Sequence, residues 1–188
     1  MVIIYGGSFN PPTIAHVFMV KYIMNEVKPE QLLVVPTYLP PHKNVTDIDV
    51  YEKFDMVKET FEEIPGVKVT DIEYDLEGVS YTCKTLEALS KKYDDLYLLI
   101  GMDSFLSFPK WYRTDKILSY SKILVLKRGG YEFKSHELYE KNKDKFVFLD
   151  NPVFELSSTF VREQIKKGND VRFFVTDTTY EYISEYLR

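Results

Sequence analysis

Val2-Ile3-Ile4-Tyr5-Gly6-Gly7-Ser8-Phe9-Asn10-Pro11-Pro12-Thr13-Ile14-Ala15-His16 decides the fold of this chain. Its first four residues are a short, largely β-branched apolar run, as expected of a strand buried on both faces. Gly6 and Gly7 lack a Cβ, so the backbone there can turn sharply and come close to a ligand. Pro11 and Pro12 stiffen the loop, and from Thr13 the pattern becomes helical. A strand, a glycine turn and a helix start aim backbone N–H groups and the positive end of a helix dipole at one spot, which suits a phosphate. Thr13 and His16 are three apart and share one side of the first helical turn.

Neither the dinucleotide fingerprint G-x-G-x-x-G nor a Walker A Gly-Lys-Ser/Thr follows the strand. The stretch instead resembles the nucleotidylyltransferase superfamily, which carries a (His/Thr)-x-Gly-His motif after such a loop. Here the motif reads Thr13-Ile14-Ala15-His16, with Ala15 in place of the usual glycine.

Working outward, apolar strands alternate with amphipathic helical stretches. Strands are predicted at Val2–Tyr5, Gln31–Pro36, Val67–Asp71, Leu96–Ile100, Lys122–Leu126 and Lys145–Leu149. Helices are predicted near Ala15–Val27, Val50–Glu62, Thr82–Lys92, Ser158–Lys167 and Thr178–Leu187. This alternation predicts an α/β fold: a doubly wound, Rossmann-like parallel sheet with helices on both faces and a C-terminal helical segment. Ligands of such sheets bind beyond the strand C-termini at a topological switch point. The charged run Tyr131–Lys145 reads as a solvated excursion, and His136 within it as a surface histidine.

The 188 residues are read as one domain, 1–188, long enough to bury roughly 70% of the unfolded surface; 45% are hydrophobic and 15% aromatic. The net charge of −5 argues against nucleic acid or an anionic membrane as the main partner. Cys83 is the only cysteine, which excludes an intramolecular disulfide and a zinc cluster. No apolar run approaches 18 residues, and the N-terminus reads as a core strand rather than a targeting segment. These features read as a soluble, cytoplasmic protein. Fifteen tyrosines leave packing into a homo-oligomer open.

A second signature is Leu156-Ser157-Ser158-Thr159-Phe160-Val161-Arg162. Hydroxyl residues here cap a helix, and Arg162 lies three to four residues beyond Ser158 and Thr159, so its guanidinium can swing back over the same N-terminus. Dipole, N–H groups, hydroxyls and a forked cation then form a polyphosphate clamp. The superfamily carries a similar Ile-Ser-Ser-Thr-x-x-Arg motif. Between the two signatures come Pro40-Pro41-His42-Lys43, Ser80-Tyr81-Thr82 with Thr85, Gly101-Met102-Asp103, Pro109-Lys110-Trp111-Tyr112 and Lys127-Arg128-Gly129-Gly130. This ordered set resembles the bacterial nicotinate-mononucleotide adenylyltransferase family over essentially the whole chain. Departures are Asn10 for aspartate, Ala15 for glycine, Lys53 for arginine and Gly129 for proline.

The resemblance implies transfer of the adenylyl group of ATP to nicotinate mononucleotide, giving nicotinate adenine dinucleotide and pyrophosphate in NAD biosynthesis. It implies that Thr13, His16 and Lys43 hold the transferring α-phosphate and that Ser158, Thr159 and Arg162 hold the leaving pyrophosphate. Gly6, Gly7, Ser8 and Phe9 would contact nucleotide phosphate through backbone. Gly101, Asp103 and Arg128 would complete the ATP site, with Asp103 accepting from ribose hydroxyls or, alternatively, capping a helix from Ser104. Tyr81, Thr82, Trp111 and Tyr112 would bind the mononucleotide, with backbone N–H groups around Thr82 and Trp111 reading its carboxylate. Mg²⁺ would arrive with ATP, held by phosphate oxygens and water, since no protein metal site is visible in the ligand spacing. Other readings are a phosphopantetheine or nicotinamide-mononucleotide adenylyltransferase, or a non-catalytic nucleotide sensor on the same fold. Ser8, Ser158 and Cys83 lack an adjacent base, so no covalent intermediate is expected.

Overall fold

The computed structural model describes residues 1–39, 49–76 and 78–186. The chain runs β1 (Val2–Gly7), α1 (Ile14–Glu26), β2 (Gln31–Pro36), α2 (Val50–Phe61) and β3 (Val67–Val69), then α3 (Ile72–Asp75) and α4 (Thr82–Leu89). It continues through β4 (Leu96–Gly101), α5 (Met102–Ser107), α6 (Thr114–Tyr120), β5 (Ser121–Leu126), α7 (Glu137–Lys141), β6 (Phe146–Phe148), α8 (Ser158–Lys166) and α9 (Asp177–Tyr186).

The six strands form one sheet in the order β3-β2-β1-β4-β5-β6, every pair parallel. Side chains alternate across it, as the two-residue strand period demands. Ile4, Leu33, Leu98 and Ile123 enter one core with Leu86 of α4, Phe105 of α5 and Ile117 of α6. Ile3, Leu32, Leu99 and Leu124 face the other way, onto Val20 and Ile23 of α1 and Val57 and Phe61 of α2. Both faces are therefore covered, which is why the strands read as continuous apolar runs. A third cluster packs Met56 of α2 against Val161 of α8 and Ile183 of α9, so the C-terminal segment leans on the α1–α2 side. Among the described residues no helix is long and apolar enough to cross a membrane.

The chain winds outward from β1 to β3, then returns to lay β4 on the free side of β1. The loops after β1 and β4 thus diverge, opening the crevice that parallel doubly wound sheets use for ligands.

Some boundaries differ from expectation. The predicted strand to Asp71 ends at Val69, because Thr70 N–H closes the ladder on Val34 O at 3.0 Å and α3 begins. The helix predicted to Lys92 ends at Leu89, whose carbonyl takes N–H bonds from Lys92 and Tyr93 in a closing turn. His136 is not an ordinary surface histidine. It is the N-cap of α7, its Nδ1 accepting from Tyr139 N–H at 3.1 Å and its ring 4.6 Å from that of Phe105.

Candidate active site

Two cavities open on the C-terminal edge of the sheet, of about 830 Å³ and about 980 Å³. Both are bounded by Gly6, Gly7, Ser8, Leu99, Ile100, Ser104 and Trp111, so they are two lobes of one cleft meeting over the β1 turn.

The turn is shaped by Phe9. Its backbone sits at φ 41° and its side chain is buried, 5.6 Å from Phe61 and 5.3 Å from the His16 ring. The Phe9 ring covers Gly7 so closely that a Cβ there would fall 2.9 Å from it, whereas a Cβ on Gly6 meets nothing within 4 Å. Gly7 is required by internal packing. Gly6 borders open cleft, where only an incoming ligand would need the space.

At the start of α1, Thr13 is fully buried and outside both lobes. Its N–H donates to His16 Nδ1 at 3.0 Å, and its hydroxyl lies 2.7 Å from the same nitrogen. With Nδ1 serving as acceptor, the ring's proton is on Nε2. Burial, and then Arg128, lower the His16 pKa from 6.5 to about 4, so the imidazole is neutral near pH 7. His16 lines the smaller lobe beside Ala15.

The same lobe receives Arg128, just after β5, and the N-terminus of α8. Arg128 donates to Asp103 Oδ2 at 2.9 Å, while Asp103 Oδ1 is buried with no partner among the described residues. Asp103 does not cap a helix at Ser104: α5 starts at Met102 with Gly101 as N-cap. Tyr5 also lines this lobe, and its phenol is held well above the usual range by burial, with Arg128 and Asp103 within electrostatic reach. Only its place at the mouth of β1 could have singled it out in the sequence.

At α8, Ser157 is the N-cap, accepting from Phe160 N–H at 3.1 Å. Ser158 Oγ donates to Pro11 O at 2.8 Å. Arg162 does fold back over its own helix start: one terminal nitrogen donates to Thr159 Oγ1 at 3.0 Å, the other to Asn10 O at 2.5 Å. The two sequence signatures, 152 positions apart at this contact, are stapled together. Gly129 lies beneath the exposed side chain of Glu155, whose Oε1 would come within 1.6 Å of a Cβ there and would have to swing aside for one.

The larger lobe carries the aromatic segment. Tyr81, Thr82, Trp111 and Tyr112 all line it, with the Tyr81 and Tyr112 rings 4.6 Å apart. The α4 N-cap is Tyr81, whose side chain makes no capping bond, and the Thr82 and Cys83 N–H groups meet no backbone acceptor among the described residues. The Trp111 N–H, by contrast, is already used, donating to Phe108 O at 2.9 Å. Thr85, one turn beyond Thr82 in the Ser80-Tyr81-Thr82 segment, lines this lobe as well, and so do Arg113 and Glu73, which the sequence did not mark because nothing near them forms a local pattern. Cys83 is buried, and burial pushes its thiol up, which leaves it a packing residue. Lys43, with Pro40–His42, falls outside the described residues. Among the described residues no group of three His, Cys, Asp or Glu side chains is arranged to hold a metal ion.

The comparisons with known proteins agree with this geometry. The cytidylyltransferase-like family profile matches residues 4–164. The probable nicotinate-nucleotide adenylyltransferase of Thermosipho melanesiensis is 37% identical, covering 97% of this chain and 94% of its own. The nicotinate-nucleotide adenylyltransferase of Bacillus subtilis is 30% identical, with coverage of 97% and 94%. Among solved structures, the Plasmodium falciparum nicotinic acid mononucleotide adenylyltransferase complexed with NaAD superposes with a TM-score of 0.78 at 22% identity, covering 98% of this chain and 95% of that one. The chain belongs to the nicotinate-nucleotide adenylyltransferases of the cytidylyltransferase-like family.

Proposed function

We propose that this chain transfers the adenylyl group of ATP to nicotinate mononucleotide, giving nicotinate adenine dinucleotide and pyrophosphate in NAD biosynthesis. The observation that carries the reading is the two-lobed cleft: a cation-lined lobe and an aromatic lobe meeting over Gly6, Gly7 and Ser8.

The lobe of Arg128, Arg162, Ser158 and Thr159 takes ATP. The lobe of Tyr81, Thr82, Trp111 and Tyr112 takes the pyridine nucleotide, and the two phosphates meet at the glycine turn. A phosphate oxygen of the mononucleotide attacks the α-phosphorus in line. A new P–O bond forms as the bond to the β-phosphate breaks, and pyrophosphate leaves with that electron pair. The attacking phosphate is already anionic near pH 7, so no general base is needed. Catalysis is positioning plus stabilisation of charge on the phosphoryl oxygens.

His16, neutral and protonated on Nε2, donates to a non-bridging α-phosphate oxygen without placing a full charge there. Thr13 acts through His16, holding its tautomer and orientation. Arg162 and the N-terminus of α8 take the growing charge of pyrophosphate, and Lys43 joins His16 at the α-phosphate. Asp103 Oδ1, buried and unpartnered, accepts from a ribose hydroxyl. Thr82 and Cys83 N–H groups at the start of α4 receive the pyridine carboxylate, which an amide replaces less well because its NH₂ donates rather than accepts. The described residues include no group of three His, Cys, Asp or Glu side chains arranged for a metal ion; Mg²⁺ brought in on the ATP phosphates would neutralise charge on the triphosphate.

Pyrophosphate release with Mg-ATP and three acceptors tests the reading. Nicotinate mononucleotide is expected to far exceed nicotinamide mononucleotide, and phosphopantetheine to give none. ATP binding without release for any acceptor would put the sensor reading in its place.

A further inference from the structure

Beneath the loop after β2 lies a pair of buried opposite charges that the reaction above does not use. Lys53 of α2 is 5% exposed and Glu73 of α3 is 9% exposed. They make no direct ion pair. Instead they hold the two ends of one peptide group. Lys53 Nζ donates to Thr37 O at 2.5 Å, and Tyr38 N–H donates to Glu73 Oε2 at 3.3 Å. That carbonyl and that N–H belong to the same peptide unit, so its dipole is fixed between an ammonium at the oxygen end and a carboxylate at the hydrogen end. Charge-assisted hydrogen bonds of this kind are roughly twice as strong as neutral ones. Taking both charges out of water is costly unless their hydrogen bonds compensate, and here each is spent on the same peptide.

The gripped peptide is a junction. Thr37 N–H donates to Gly7 O at 2.9 Å, tying it to the turn after β1. Glu73 Oε1 accepts from Thr85 Oγ1 at 2.8 Å, tying it to α4, whose first residues are the Thr82 and Cys83 N–H donors. Thr37, Glu73 and Thr85 all line the aromatic lobe. We infer that Lys53 and Glu73 are positioning residues for the mononucleotide: acting through the Thr37–Tyr38 peptide and Thr85, they set the separation between the phosphate-binding turn and the carboxylate-binding start of α4. This rests on reading the aromatic lobe as the mononucleotide site. Glu73 supports the ammonium on Lys53, opposing the downward pull of burial on its pKa.

Lys53→Met, Lys53→Arg and Thr85→Val in the full chain test the inference. Steady-state kinetics with each substrate varied are combined with nicotinate mononucleotide titrations read by the fluorescence of Trp111, the single tryptophan. Lys53→Met is expected to raise the mononucleotide KM by about tenfold or more, the scale of one lost charge-assisted hydrogen bond, with the ATP KM within about twofold. Lys53→Arg, which can still donate to Thr37 O, is expected to restore most of the mononucleotide KM. Thr85→Val is expected to weaken the same substrate by a smaller factor with little change in Tm. An unchanged mononucleotide KM in folded Lys53→Met, or both KM values rising together, overturns the inference. If Lys53→Met does not fold, Thr85→Val decides it on the same criterion. Failure of the wild type to release pyrophosphate would sink the functional reading, while the fluorescence titration would still report whether Lys53 governs binding in this lobe.

Discussion

His16 shows how much of the chemistry is set by one side chain's partners. Thr13 occupies Nδ1, so the proton sits on Nε2 and the ring acts as a donor rather than a base. Replacement by alanine is expected to lower kcat by about 10²–10³ with a folded protein, the scale of one lost transition-state donor; an unchanged kcat would remove His16 from catalysis. Protonation of Nδ1 below about pH 5 would break the bond from Thr13 N–H and turn the Thr13 hydroxyl from donor to acceptor, so the rate is expected to fall there, with no inflection from this group between pH 6 and 9. Stability should follow the same group. The folded pKa, about 4, lies below the unfolded value of 6.5, so between them the unfolded chain binds more protons. Stability is full above about pH 6.5 and is lost as the pH falls towards 4, by on the order of 3 kcal/mol. Urea titrations of wild type and His16→Gln at pH 7 and pH 5 check this; parallel losses in both proteins would assign the effect elsewhere.

At the level of elements, the β1 turn and the α8 start are one assembly. Gly6 and Gly7 are adjacent and chemically identical, yet their surroundings predict opposite phenotypes. Gly7→Ala would push a Cβ into the Phe9 ring and is expected to cost about 1–3 kcal/mol of stability. Gly6→Ala meets no protein atom within 4 Å, so Tm should hold while ATP affinity falls by about tenfold, roughly 1.4 kcal/mol. Thermal melts with ATP titrations separate the two, and a stable Gly7→Ala would sink the packing account. Arg162→Ala removes donors to Asn10 O and Thr159 as well as the cation proposed to hold pyrophosphate. A loss of about 10² in kcat/KM for ATP is expected, with about 1–3 kcal/mol of stability. Arg162→Lys should recover little, because one ammonium cannot span both partners. The glycine loop, its helix and the hydroxyl cap were legible in the sequence because each is written in neighbouring residues. The lock between them was not, since its partners stand 147 and 152 positions apart.

At the level of the molecule, a chain of net charge −5 gathers Lys127, Arg128 and Arg162 at one lobe, against Glu155 on its lining and Asp103 paired with Arg128. Local field, not net charge, decides what such a cleft binds. Mg-ATP at a hundred times its Kd is expected to stabilise the protein by about 2.7 kcal/mol. That shift should shrink in Arg162→Ala and be nearly intact in Lys53→Met, which acts on the other lobe. Differential scanning calorimetry with and without nucleotide reads it; equal loss in both variants would merge the two lobes into one site.

The sequence by itself determined the alternation of strands and helices, and hence a parallel doubly wound sheet, because burial on both faces leaves unbroken apolar runs that short range can record. It also placed the glycine turn, the Thr13–His16 helix start and the Ser158–Arg162 cap at strand ends, since turn and cap chemistry are local. Only the tertiary structure decided what those groups do to one another. It buried Thr13 behind His16 where spacing alone suggested two phosphate ligands. It turned Arg128 onto Asp103, 25 positions away, and closed Trp111 N–H on Phe108 O. It set Lys53 and Glu73 on opposite ends of a single peptide. Hydrogen bonds and ion pairs depend on where side chains converge in space, and no periodicity along the chain encodes that convergence.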